Sequence, residues 1–277
     1  MLSEQEYKEI QRLHLRVSRQ TDSQFLGEYR TSLRGKGIEY SDVRPYLPGD
    51  EIRRIDWNVT ARTGYPYVKQ FKEEREHTIL LLVDVSASMT FAGKNKVCSL
   101  AAGAIAFAAM RNQDNVGLIL FGDTVHKILP PKNKKGYVWR IIQTVFSHSL
   151  HSKGTRFTEL IQQTHSLIPR NSTVIVLSDF LAPDWRVLGR LCPKKNIQGV
   201  LVYDALENRL PFSGLLDIVD CETQQTALID SASVTSLQVQ NRVAALREYG
   251  IQCCSISKEE DVITQLRKHF ASTVAQC

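Results

Sequence analysis

The sequence predicts an α/β protein: a doubly wound, mostly parallel sheet with helices on both faces, preceded by an N-terminal helix and an irregular wrap. Three observations carry this expectation. Residues Thr78 to Val83 are almost wholly apolar and end at Asp84, which suits a parallel strand buried on both faces. Thr173 to Leu177 repeats the pattern and ends at Ser178-Asp179. Beyond residue 78, strand-like and helix-like stretches alternate, as they do when a parallel sheet is wound with helices.

Taken in order, a helix is expected near residues 3–19, where Ile10, Leu13 and Val17 recur at helical spacing. Residues 20–77 form the wrap, so the expected division is 1–77 for helix and wrap and 78–277 for the sheet domain. After the strand ending at Asp84 come a helix near 94–111, a strand from Val116 to Phe121, a turn at Gly122-Asp123 and an antiparallel edge strand to Leu129. Helices near 135–148 and 157–168 lead to the strand ending at Asp179. Then follow a helix over 184–192, a strand over 197–203, a hairpin near 215–229, a helix over 234–249, a strand over 251–256 and a helix over 259–270. No internal repeat or low-complexity linker interrupts the series.

Asp84, Ser86 and Ser88 lie two residues apart, beginning at a strand end and continuing into the turn, so their oxygens can converge there instead of alternating as in a regular strand. Two hydroxyls and a carboxylate make a hard, weakly charged cluster suited to a divalent cation that keeps several waters, with Mg2+ favoured and Mn2+ the alternative. The competing reading is a polar turn whose Ser and Asp side chains cap free backbone amides. Two further segments favour the cation: Ser178-Asp179, and the glycine turn Lys153-Gly154-Thr155-Arg156-Phe157-Thr158 with its hydroxyls. Ligands of open α/β sheets gather outside the carboxyl ends of the strands, where all three segments point.

With these residues the chain resembles a von Willebrand factor A-type domain, a Rossmann-like fold. The resemblance implies a metal-ion-dependent adhesion site in which Ser86 and Ser88 bind the ion directly and Thr155 is the loop ligand, ahead of Thr158. Asp84 and Asp179 would act mainly through water and hydrogen bonds. It also implies an open position that takes a carboxylate from a partner protein, and hence binding without bond-breaking.

The preceding segment narrows the resemblance. Arg44-x-Tyr46-x-x-Gly49-Asp50-x-x-Arg53-x-Ile55-Asp56-Trp57-x-x-x-Ala61-Arg62, followed by Val68-Lys69-x-Phe71-x-x-Glu74, resembles the bacterial family called domain of unknown function 58. That resemblance implies partnership with a MoxR-type AAA+ ATPase in chaperone-like assembly or maturation of other proteins. Physically, Gly35 to Glu76 interleaves near-balanced charges with aromatics. One reading has Asp50 and Asp56 pairing with arginines while Trp57 anchors the segment; the other makes it a docking surface. Its matched acids argue against stacking on single-stranded nucleic acid.

Composition sets the remaining bounds. With 277 residues, 43% hydrophobic and 23% charged, the chain can bury a full core. It has no apolar run of about 18 residues, and its start, Met1-Leu-Ser-Glu-Gln-Glu, lacks the basic and apolar regions of a signal peptide, so a cytoplasmic location is expected. Cys98, Cys192, Cys221, Cys253, Cys254 and Cys277 show no metal-ligand spacing and read as reduced thiols. Cys253 and Cys254, adjacent in a strand-like stretch, are expected on opposite faces. The net charge of +6 is concentrated between Thr124 and Thr158, where Lys127, Lys132, Lys134, Lys135, Arg140, Lys153 and Arg156 stand without an acid. This is either a solvated face or a rim that attracts an acidic partner; a nucleic-acid-binding protein is the minority alternative, since a few lysines beside a carboxylate-containing site are weaker evidence than a continuous basic groove.

Asp123 and Asp204 also follow apolar runs and read mainly as turn residues, and His77 lies at the far end of its strand in a structural role. No Ser-His-Asp arrangement is recognisable, so catalytic residues are expected to be none and the chain is not expected to be an enzyme. The enzymatic alternative is a magnesium-dependent phosphate-ester hydrolase of haloacid-dehalogenase type. Such enzymes place a second Asp two residues after the first, where this chain has Ser86. No phosphate-cradling Gly-x-x-x-x-Gly-Lys-[Ser/Thr] loop is present.

Overall fold

The computed structural model describes residues 4–34, 40–71, 77–134, 136–148, 154–169, 172–190, 196–208, 215–219, 226–230 and 239–274. Lys135, Lys153, Cys192, Cys221, Cys277 and the first part of the helix expected over 234–249 lie outside the described residues. Two compact units are distinguished, residues 1–33 with 77–277 and residues 34–76. The division therefore differs from the one expected at residue 77.

The larger unit opens with α1 (Glu4–Gln20) and α2 (Ser23–Arg34). Ile10, Leu13 and Val17 of α1, with Phe25 and Tyr29 of α2, are buried in the same hydrophobic cluster as the sheet, which is why these helices belong to this unit and not to the wrap. The smaller unit holds β1 (Tyr40–Pro45), a 3-10 turn at Ile52–Arg54, α3 (Trp57–Thr63) and β2 (Tyr67–Phe71), with β1 and β2 paired antiparallel. It is more regular than the irregular wrap expected. Asp50 takes a bidentate pair from Arg44 at 2.6 and 2.7 Å, whereas Asp56 caps α3, accepting from the Asn58 and Val59 amides at 3.0 and 3.2 Å. Trp57 is 66% exposed, and α3 buries none of its residues.

The sheet unit continues with β3 (Thr78–Asp84), α4 (Lys94–Arg111), β4 (Asn115–Phe121), β5 (Val125–Lys132), α5 (Tyr137–Phe146), α6 (Phe157–Thr164), β6 (Ser172–Ser178) and β7 (Asn196–Val202). It closes with α7 (Ala205–Asn208), the antiparallel pair β8 (Leu215–Val219) and β9 (Thr226–Asp230), α8 (Val239–Glu248), β10 (Gln252–Ile256) and α9 (Val262–Val274). The six-stranded sheet runs β10-β7-β6-β3-β4-β5, parallel throughout except for the edge strand β5. The expected helix over 184–192 is a 3-10 segment, Pro183–Arg190.

β3 shows how sequence dictates layering. Successive side chains of a strand point to opposite faces. Ile79, Leu81 and Val83 join one cluster with residues of α1, α2, α4, α5 and α9; Leu80 and Leu82 join the other with Phe157, Trp185, Leu188 and Leu246. Cys253 and Cys254 divide between the same two faces, as expected. Chain order reverses beside β3: β4 lies on one side of it, β6 and then β7 on the other. This is the switch point at which α/β sheets form a crevice at their carboxyl ends.

Candidate functional site

Asp84 ends β3 and Ser178 ends β6, and those strands are neighbours, so both side chains emerge at one edge by register alone. After Asp84 the Val85 amide still donates to Phe121 O at 2.9 Å, so the chain leaves the sheet only at Ser86, whose extended backbone enters a 3-10 turn over Ala87–Gly93. This puts the Ser86 and Ser88 hydroxyls 3.1 Å apart. The loop carrying Thr155 is tied to the end of β4 by the Arg156 amide, which donates to Gly122 O at 2.9 Å.

These segments meet on Asp84. Its carboxylate accepts from the Ser86 amide at 2.9 Å, from the Ser178 hydroxyl at 2.6 Å and from the Thr155 hydroxyl at 3.2 and 3.3 Å to its two oxygens. Thr155, not Thr158, is the hydroxyl that reaches it; the Thr158 amide donates instead to Asp184. Asp179 accepts from the Leu181 amide at 3.3 Å and from the Lys94 ammonium at 3.2 Å, and its carbonyl accepts from Arg242 at 2.8 Å. Phe180 between them has a left-handed backbone, φ 52, uncommon for a bulky residue, and its amide donates to the Ser178 hydroxyl at 3.0 Å. The Phe180 ring stacks on Phe157 at 5.9 Å, and Phe157 packs on Phe121 at 5.3 Å.

Burial holds the Asp84 carboxyl up to about 7, the neighbouring Asp179 charge adds to this, and the Ser178 and Ser86 hydrogen bonds oppose it. Burial likewise pushes the Cys98 thiol up, assisted by the charges of Asp84 and Asp179 and opposed by Lys94. Cys98 therefore lies within electrostatic reach of all three ionisable groups.

The donor chemistry fits a hard cation. Two oxygens on adjacent positions of an octahedral ion with bonds of about 2.1 Å stand about 3 Å apart, and the Ser86 and Ser88 hydroxyls stand 3.1 Å apart. A cation there would rest on these hydroxyls, with Thr155 and water completing its shell and Asp84 ordering the hydroxyls from behind. The structure brings Asp84, Ser86, Ser88 and Thr155 into one hydrogen-bonded group, with Asp179 beside it.

Sequence reasoning named Ser178 only as the residue before Asp179, and gave Lys94 no place in the site. Ser178 had a usable signal, since it ends a buried strand in register with β3. Lys94 had none, because a lysine opening a helix ordinarily reads as solvated. Asp123 instead faces His126 at 3.4 Å, and Asp204 accepts from the Leu206 amide at 2.8 Å, both local contacts. His77 lies at the opposite strand end, with its ring 2.9 Å from the Thr173 hydroxyl.

An uncharacterized protein, Mb1516 of Mycobacterium bovis, is 28% identical over 222 residues, covering 77% of this chain and 70% of its own length. YeaD of Bacillus subtilis is 32% identical over 82 residues, 30% of this chain and 20% of that protein. Among solved structures, BatB from Bacteroides thetaiotaomicron is similar at TM-score 0.48 and 12% identity, covering 73% of this chain and all (100%) of that one. A von Willebrand factor type A protein from Catenulispora acidiphila is similar at TM-score 0.43 and 10% identity, over 72% of this chain and 43% of that one. Residues 42–248 match the family described as protein of unknown function DUF58, and the chain belongs to that family.

Proposed function

We propose that this chain is a cation-dependent protein-interaction module in which Ser86, Ser88 and Thr155 hold Mg2+, with Mn2+ the alternative, while Asp84 and Asp179 support them. The observation that carries the reading is the 3.1 Å hydroxyl pair backed by a carboxylate that three separate chain segments hydrogen-bond. A bound cation supplies a Lewis-acidic position for a partner's carboxylate. The residues of this chain orient the hydroxyls, exclude water behind them and hold the proton balance at Asp84. The family resemblance supports a MoxR-type AAA+ ATPase, or its client, as the partner, in chaperone-like assembly or maturation of other proteins. The cytoplasm is the proposed location; no helix among the described residues is long and apolar enough to cross a membrane.

Capture of partners from native lysate, with Mg2+ and then with chelator, tests this reading directly. Wild type should retain a partner only with the cation, and Ser86→Ala should lose it while keeping its circular dichroism. Equal capture by both proteins in both conditions would overturn it. Turnover of phosphate esters abolished by Asp84→Asn would instead favour the hydrolase.

A further inference from the structure

We propose that Lys94 is the resident counter-charge of the Ser86/Ser88 edge: it holds Asp179, keeps cation affinity low, and leaves the loaded site with one surplus positive charge for an anionic ligand to neutralise. This rests on reading that edge as a cation site. The Lys94 Nζ and Asp179 Oδ2 are 3.2 Å apart, and the two side chains are 4% and 2% exposed. A lysine is almost never this buried without a partner. Its position is not explained by the helix it opens, because Lys94 is the first residue of α4, and a cation in a first turn opposes the helix dipole. Gly93 precedes it in a left-handed conformation, φ 80, at the bend from the 3-10 turn into α4.

Charge counting gives the consequence. With both carboxylates ionised, Asp84 and Asp179 contribute two negative charges and Lys94 one positive, leaving −1; a divalent cation brings the site to +1. A ligand bearing one carboxylate restores neutrality. Without Lys94 these side chains and the ion would already sum to zero, leaving the Arg242 guanidinium, which donates to the Asp179 carbonyl, to draw an anion. Repulsion between a unit charge and a double charge exceeds what a tenfold change in affinity needs out to a separation of about 10 Å, even at an effective dielectric of about 20.

The test is titration of the full chain with MgCl2, followed by calorimetry and by the rise in melting temperature, with acetate as the anion probe. Wild type, Ser86→Ala, Lys94→Met and Lys94→Gln are compared, the glutamine keeping a hydrogen-bond donor toward Asp179 if the methionine variant folds poorly. Removing the charge should tighten Mg2+ by at least about tenfold and weaken acetate binding to the loaded protein by a similar factor. A purely structural lysine would not move these two quantities in opposite directions. If wild type binds Mg2+ through Ser86 and the Lys94 variants bind it equally or more weakly, or bind acetate as tightly as wild type, the inference falls and the cation reading stands. If none of the four proteins binds Mg2+, both fall.

Discussion

At Asp84 a carboxylate receives three hydrogen-bond donors, one amide and two hydroxyls, while burial and the neighbouring Asp179 hold its pKa up to about 7. The unfolded carboxyl ionises near 3.8, so between about pH 4 and 7 the native state holds a proton that the unfolded state has released. The contribution of this group to stability therefore declines as pH rises through that window and stays low above it. Asp84→Asn should flatten that slope in the cation-free protein, as read by melting temperature against pH. On the proposed reading Mg2+ would bind the ionised form, so its affinity should climb through about pH 7, and an affinity flat from about pH 6 to 8 would contradict the proposed role. Asp56 offers an independent check in the smaller unit: as the cap of α3 it accepts two amides, and Asp56→Ala should cost about 1 kcal/mol.

At the scale of elements, the helices and the sheet meet at close approaches that single atoms control. A Cβ on Gly103 of α4 would lie 2.6 Å from Ile142 Cγ1 of α5 and 3.3 Å from Val17 Cγ2 of α1. Gly103→Val should therefore destabilise by about 1–3 kcal/mol through overpacking, measured by denaturant unfolding. Patterning made much of this legible in advance: the unbroken apolar run of β3 pointed to its two-sided burial, and α4 spans the expected residues 94–111. α2 escaped notice because Ser23–Arg34 mixes polar residues with only Phe25, Leu26, Tyr29 and Leu33 as large apolar groups, and Gly27 weakens its helical signal. Asp84, Ser86, Ser88 and Thr155 were legible because hydroxyls and acids at strand ends carry chemistry in their spacing. Lys94 was not, since the partner that buries it lies 85 residues away in the chain.

Across the whole molecule, acid sensitivity should arise away from the candidate site as well. His269 of α9 is buried with its ring nitrogen 3.2 Å from Gln198 Oε1 of β7, and burial, with the charge of Arg247, lowers its pKa to about 4. The unfolded imidazole protonates near 6.5, so this group's contribution is present above that value and is lost as pH falls toward 4. The loss should amount to about 3 kcal/mol and be absent in His269→Gln, as followed by urea unfolding at a series of pH values. The rings of Phe121, Phe157 and Phe180 connect this scale back to the edge. They pack in series from the end of β4 through the start of α6 to the residue after Asp179, so ion entry would be a local rearrangement of hydroxyls, without a swinging gate. Shortening the middle ring in Phe157→Leu should consequently blunt Mg2+ binding from beneath, although no oxygen of the site has been altered.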